Sequence, residues 1–140
     1  MKRKRKRTAG VLAVALAAVF IGGYFAFNRF FPISDPVECP LVEAVISIDV
    51  SCNNGDGTRF VTKETEEFIQ YIGNAQPTRR QSVNDYPDAG YFYAIEVKTA
   101  QRTYRYYLYE EGDFYIEMPY QGVYRSTEDF YNLVSKLFDE

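Results

Sequence analysis

Histidine and tryptophan are both missing from these 140 residues, and cysteine occurs only twice. Without His the usual general base, the usual proton shuttle and the commonest metal ligand are gone. No Ser–His or Cys–His nucleophile pair can be built. Acid is missing from one end: up to Asn28 the chain carries six cations, Lys2 to Arg7, and no Asp or Glu. No internal repeat or low-complexity tract is visible.

What the N-terminal end does contain is Ala9 to Phe27, nineteen residues without a formal charge. As a helix rising 1.5 Å per residue, that run covers roughly 28 Å, close to the hydrocarbon thickness of a bilayer. Val11, Leu12, Val14, Leu16, Val19, Phe20 and Ile21 are its candidate lipid-facing residues. Positive flanks stay on the cytoplasmic side during insertion, so residues 1–8 read as a cytoplasmic tail and everything beyond the helix as extracytoplasmic. The charge reverses accordingly: from Pro32 onward nine Lys and Arg face nineteen Asp and Glu, a net of −10. A cleaved signal peptide shares this plan, and a secreted product is the alternative. Against cleavage, the small-residue pattern Ala15-Leu16-Ala17 lies inside the apolar run. The outer end gathers Tyr24, Phe25, Phe27, Phe30 and Phe31, rings suited to the headgroup level. A buried core helix is a poor third reading, because six adjacent cations do not flank a soluble core. The expectation is a single-pass signal-anchor at 9–27 in a cell membrane, N-terminus inside.

Residues 28–42, with Pro32, Pro36 and Pro40, read as a short stiff spacer. Residues 43–140 are then one domain, long enough for a core of its own. From Glu43 to Val50 apolar residues alternate, with Ala44, Ile46, Ile48 and Val50 on one face. Asn53 to Gly57 tolerates positive φ and turns the chain into Thr58–Val61, completing a hairpin. Thr62 is placed to cap a helix carrying Glu64, Glu66 and Glu67 near its start and the apolar stripe Phe68, Ile69, Ile72; Gly73 ends it. Residues 74–90 lack periodicity and are long for a connection, so they are a mobile loop or a segment with a job. Tyr91–Lys98, Thr103–Glu110 and Phe114–Met118 alternate as strands of a meander, and Gly122–Arg125 adds a short edge strand. Ser126 is placed to cap a last helix bearing Phe130, Leu133, Val134 and Leu137. Hairpin, helix, meander, helix gives an α+β fold: a two-layer domain whose helices cover one face of a mostly antiparallel sheet.

Candidate chemistry is sparse. A carboxylate pair could cleave a glycoside, but Glu96, Glu110, Asp113 and Glu117 follow ordinary solvent-facing alternation, so no catalytic residue is assigned. The run from Asp49 to Asp56 has oxygen-bearing residues at alternate positions, as calcium loops do. Counting from Asp49, however, the sixth position is Asn54 rather than Gly and the twelfth is Phe60 rather than Glu, so a hairpin turn is the better reading. No metal or cofactor is expected. Cys39 and Cys52 sit in a chain read as exported, where oxidation is allowed. An extended strand between them spans roughly 26 Å, against the 7 Å a disulfide permits between Cα atoms. An internal bridge therefore needs that strand broken or bulged; free thiols or an intermolecular bridge are the alternatives. Cys39 also lacks the small preceding residues of a lipidation site.

The strongest compositional signal is thirteen tyrosines. If Ile95, Val97, Tyr106, Leu108, Ile116 and Met118 meet the helices, then Phe92, Tyr107, Tyr109 and Tyr115 point the other way, beside Glu96, Lys98, Arg105 and Glu117. Phe92, Arg105, Tyr107, Tyr109 and Tyr115 are thus a candidate partner surface, since Tyr offers apolar area with a polar tip. The bland alternative is cross-strand pairing on an ordinary wet face.

The run from Glu43 to Ile72, an alternating strand, a Gly-containing turn, a strand ending in Val61-Thr62 and an acidic helix, resembles a family of small exported domains of unknown function from Gram-positive bacteria. The Tyr-rich meander and closing helix are similar too. The resemblance implies an extracytoplasmic α+β module and no activity. The expected role is a non-enzymatic, membrane-anchored module recognising a protein, peptide or envelope component. The alternative is a cell-wall carbohydrate binder or weak glycan hydrolase using the Tyr face. The acidic exterior disfavours nucleic acid.

Overall fold

The computed structural model describes residues 2–139, with side chains described from 10 to 139. Two compact units divide the chain, one ending at Ile33 and the other beginning at Ser34. The first is a helix, α1 (Lys2–Phe30). Its segment Gly10–Phe30 is long and apolar enough to cross a membrane or act as a signal sequence, and none of it is buried. Val11, Leu12, Val14, Leu16, Val19, Phe20 and Ile21 are all exposed, and at 100° per residue they lie on every side of the helix. The helix continues past the expected end at Phe27, where Asn28 Nδ2 donates back to the Tyr24 carbonyl at 2.9 Å. That local bond satisfies the amide without interrupting the turn.

The second unit contains β1 (Val45–Cys52), β2 (Thr58–Val61), α2 (Thr65–Gly73), β3 (Gln76–Pro77), β4 (Tyr93–Thr99), β5 (Thr103–Glu110), β6 (Phe114–Met118), β7 (Gly122–Arg125) and α3 (Glu128–Ser135). The strands form one open seven-stranded sheet in the order β2-β1-β4-β5-β6-β7-β3, antiparallel throughout. The fold is α+β, as the sequence pattern indicates. On the inner face Ile48 and Val50, Ile95 and Val97, Tyr106 and Leu108, and Ile116 and Met118 meet Phe68, Ile69 and Ile72 of α2 and Phe130 and Val134 of α3. Phe130 joins the helices: its ring meets Phe68 edge-on at 5.3 Å and stacks on Tyr71 at 5.1 Å. Such contacts add to the area-driven gain of burial.

The structure corrects several boundaries. Thr127, rather than Ser126, caps α3 by accepting a bond from the Phe130 amide. Glu64 rather than Thr62 precedes α2, and it makes no side-chain cap bond. The first strand starts two residues later than its alternation suggests, because Val42–Ala44 form a 3-10 turn, and its pairing with β4 then slips between Val45 and Ser47. The extra residue, Ile46, is extruded and 71% exposed, while Val45 packs on the core. A bulge of this kind inverts the in–out phase on one side of itself. Residues 34–42 are not a spacer: Ser34 is buried, Val37, Cys39 and Val42 pack on the core, and the Ser34 amide donates to the Thr78 carbonyl at 2.9 Å. The strand Gly122–Arg125 is not an edge, since β3, drawn from the segment read as loop, pairs with it as Gln76 to Arg125 and Pro77 to Tyr124. Proline is tolerated there because β3 is itself the edge.

Ser34 is lodged against Gly122. A Cβ at 122 would lie 2.3 Å from Ser34 Oγ and 2.7 Å from Ser34 Cβ, a clash that forces one chain away from the other. Gly122→Ala is expected to destabilise the domain by about 1–3 kcal/mol, the usual cost of overpacking. Adding Ser34→Gly should restore part of that loss in a denaturant titration; a double variant no more stable than Gly122→Ala would contradict the contact.

Candidate functional site

The in-register ladder lines up outward side chains in rows across the sheet. One row reads Thr58, Ser51, Ala94, Tyr107, Glu117, Val123, and the next reads Phe60, Asp49, Glu96, Arg105. In the first row three small residues on β2, β1 and β4 give way to Tyr107 on β5 and Glu117 on β6. The segment after β3 lies over the large end as a strap. It tracks β7 first, with Thr78 N donating to Val123 O and Val123 N to Arg80 O. It is then pinned by side chains. Ser82 Oγ donates to Glu117 Oε1 at 2.6 Å, and Tyr109 Oη donates to Glu117 Oε2 at 3.3 Å. Arg80 pairs with Glu111 at 2.8 Å and lies over the Tyr115 ring, 4.8 Å from its centre. Tyr120, held at φ 62° in the β6–β7 turn, donates its hydroxyl to Asp85 at 2.8 Å. At the far end Asn53 takes the Phe92 amide on Oδ1 and donates Nδ2 to the Gly90 carbonyl, each at 3.1 Å.

The strap changes what the tyrosine face is. Phe92, Arg105, Tyr107, Tyr109 and Tyr115 all lie on the side away from the helices, but Tyr107 and Tyr109 are each only 1% exposed. They form a second, smaller core rather than a contact surface. Glu117, expected in solvent, is 7% exposed and satisfied by its two hydroxyl donors. Burial, reinforced by the Glu117 charge, drives the Tyr109 hydroxyl far above its ordinary range; it stays a donor at any physiological pH. The 74–90 segment therefore has a job, which is to cover half of the outer face.

The other half stays open as a trough of about 300 Å³. Its floor is Ser51 and Ala94, and one wall is Tyr86, Phe92 and Tyr107. The Tyr86 and Phe92 rings, 6.5 Å apart, both lean on Tyr107, at 5.7 and 5.3 Å. Tyr86 is 61% exposed. The opposite wall is an ion pair in which Arg105 Nε and Nη2 both donate to Glu96 Oε1, at 3.0 and 2.6 Å. Those bonds raise the already high Arg105 pKa. Next to it Lys98 pairs with Asp49. Of the five residues expected here, Phe92, Arg105 and Tyr107 come together in the trough, while Tyr109 and Tyr115 lie beneath and beside the strap, 5.8 Å from each other. Tyr86 was not found from sequence, since its segment has no period to place it. The floor did leave a signal, namely small residues in the outward phase of two adjacent strands. A larger cleft, about 400 Å³ between the hairpin and α3, gathers none of the expected site residues.

The cysteines are free and serve separate neighbours. Cys39 Sγ faces the Ile69 carbonyl at 3.6 Å, and Cys52 Sγ donates to Asn54 Oδ1 at 2.7 Å. That same oxygen takes the Asp56 amide, so the turn spends its oxygen atoms on itself. Among the described residues no group of three His, Cys, Asp or Glu could hold a metal ion.

Two expectations follow from these contacts. Ser82→Ala removes the shorter bond to a buried carboxylate, which should cost roughly 1–3 kcal/mol and open the strap to limited proteolysis before global unfolding; unchanged stability and cleavage would refute the pin. Burial pushes the Cys39 thiol up to about 11, so at pH 8 its thiolate population should be about 100-fold below that of an ordinary thiol. Iodoacetamide labelling should be correspondingly slow until the chain is unfolded. The folded pKa is raised, so the stabilisation it brings is complete below pH 9 and lost as pH climbs through about 11.

No curated protein matches this chain. An NMR structure of a protein from Ruminococcus gnavus is similar, at 28% identity and a TM-score of 0.56, covering 66% of this chain and 96% of that one. A family model described as "Domain of unknown function (DUF5300)" matches residues 33–125. The matched stretch starts beside Ser34 and ends with β7, leaving out α3 although Phe130 and Val134 are fully buried. Matching this much of the sequence, from the first residues of the domain through its whole sheet, the chain belongs to the DUF5301 family of domains of unknown function.

Proposed function

We propose that this protein is a non-enzymatic recognition module held at a cell membrane by its N-terminal helix, with the cationic tail inside and the α+β domain outside, where its trough receives a protein, peptide or envelope component. The observation that carries the recognition half is the trough itself: an exposed Tyr86 and half-buried Phe92 are held in place by a buried Tyr107, opposite a preformed ion pair. Pre-organised aromatic rings beside a few fixed polar groups are what ligand-binding clefts use. The membrane half is supported by Gly10–Phe30, apolar on all sides, and by the cations before it. The absence of enzymatic chemistry is supported by the trough lining, whose carboxylate, Glu96, is tied to Arg105. Glycoside cleavage instead needs two carboxylates flanking one bond.

The topology is tested by adding protease to intact cells that make the full-length chain. The expected result is loss of the C-terminal domain with a small N-terminal fragment left in the membrane fraction. Protection in intact cells with digestion after lysis would overturn the orientation, and a mature N-terminus beginning beyond Phe30 would replace the anchor with a cleaved signal.

A further inference from the structure

We propose that the trough takes a neutral sugar chain, an oligosaccharide of uncharged pyranose rings; this rests on the trough being the recognition site put forward above. Three features of the site choose this occupant over a peptide or a charged polymer.

The floor comes first. Ser51 and Ala94 belong to β1 and β4, and each of these strands is already paired on both sides, β1 with β2 and β4, β4 with β1 and β5. Their backbone donors and acceptors are committed to the ladder. An extended peptide gains its affinity in a sheet by adding to an unpaired edge, and the trough runs across the middle of this one. A sugar chain needs no backbone partner. It is held by ring faces and by side chains.

The aromatic wall comes second. Tyr86 presents an exposed ring, tilted 32° from Phe92 at 6.5 Å, and the pair is braced from behind by Tyr107. A pyranose has one apolar C–H face that matches such a ring, and its cost of docking is low because the rings are already in position.

The polar wall comes third, and it fixes the charge. A sugar hydroxyl both donates and accepts, so neighbouring hydroxyls are matched by a donor and an acceptor side by side. Glu96 and Arg105 form that combination. Both Arg105 donors converge on Glu96 Oε1, which leaves Oε2 and the remaining guanidinium hydrogens outside the fork. Glu96 with Arg105 makes the wall neutral, and the Asp49–Lys98 pair beside it adds no net charge. An anionic chain would meet no surplus cation there and would have to approach a domain of net charge −10 from Pro32 onward, whose field repels it. An uncharged chain is insensitive to that field.

The experiment uses the full chain in phosphatidylcholine nanodiscs, which avoids sugar-headed detergents, titrated calorimetrically with the β-1,4 tetramers of glucose and of N-acetylglucosamine, the α-1,4 tetramer of glucose, and tetragalacturonate as the anionic counterpart. At least one neutral tetramer should bind saturably. Tyr86→Ala should weaken it at least about tenfold, Tyr86→Phe should retain it, and Glu96→Gln should weaken it by a smaller factor. Tyr86 is a surface residue, and unchanged circular dichroism verifies the fold of each variant. No neutral binding up to about 10 mM, tighter binding of tetragalacturonate, or binding indifferent to Tyr86→Ala overturns the proposal. A pool of random decapeptides separates the two levels. Peptide binding lost in Tyr86→Ala, with no sugar bound, sinks the sugar and keeps the recognition site, whereas no Tyr86-dependent binding of either kind sinks both.

Discussion

A single antiparallel sheet has two faces, and this one has helices for only one of them. The inner face is closed by α2 and α3 around Phe68 and Phe130, but the outward phase of β5 and β7 carries Tyr107, Tyr109 and Val123, which water does not accommodate cheaply. The strap resolves the conflict, and the hydrogen bond from Ser82 to Glu117 is its central fastening. A buried carboxylate is tolerable only with donors in place, so the strap needs Glu117 for position and Glu117 needs the strap for one of its two donors. Neither half makes sense without the other.

That mutual dependence also creates the trough. Where the strap ends, the outer face drops from Tyr107 to Ala94 and Ser51, and the step between covered and bare sheet is the aromatic wall. The trough is thus a by-product of coverage: the same rings that protect the second core form its aromatic wall. Asn53 ties the end of the strap to the β1–β2 turn, so the polar turn sequence contributes to the shape of the site from outside it.

The sequence makes the fold legible where period and punctuation agree. The alternation in β4, β5 and β6 and the stripe Phe130, Leu133, Val134, Leu137 place their elements on the correct face without ambiguity. The alternation fails at Ile46 because a bulge costs one residue of phase, and nothing in the residue types marks it. Prolines in 32–40 read as a linker because proline excludes helix and central strand, yet an extended chain is also what lies well along a core, and Val37, Cys39 and Val42 use it so. The alternation puts the tyrosines on the face away from the helices, but exposure depends on what covers them. The cover is a segment with no repeat of its own, whose hold on the sheet is made of single long-range bonds, Ser82 to Glu117, Asp85 to Tyr120 and Asn53 to Phe92. Pairings of that separation are invisible to a local pattern.

The way the chain enters the domain has a mechanical consequence. Ser34 is the first residue of the folded unit, wedged against Gly122 and hydrogen bonded to Thr78, so any tension running along the polypeptide from its apolar N-terminal helix arrives at β7 and its short neighbour β3. The load is taken up beside the root of the strap, on the strand that follows α2 and the strand that precedes α3. A pull on the chain from that side would therefore be felt first at the root of the segment that covers the outer face.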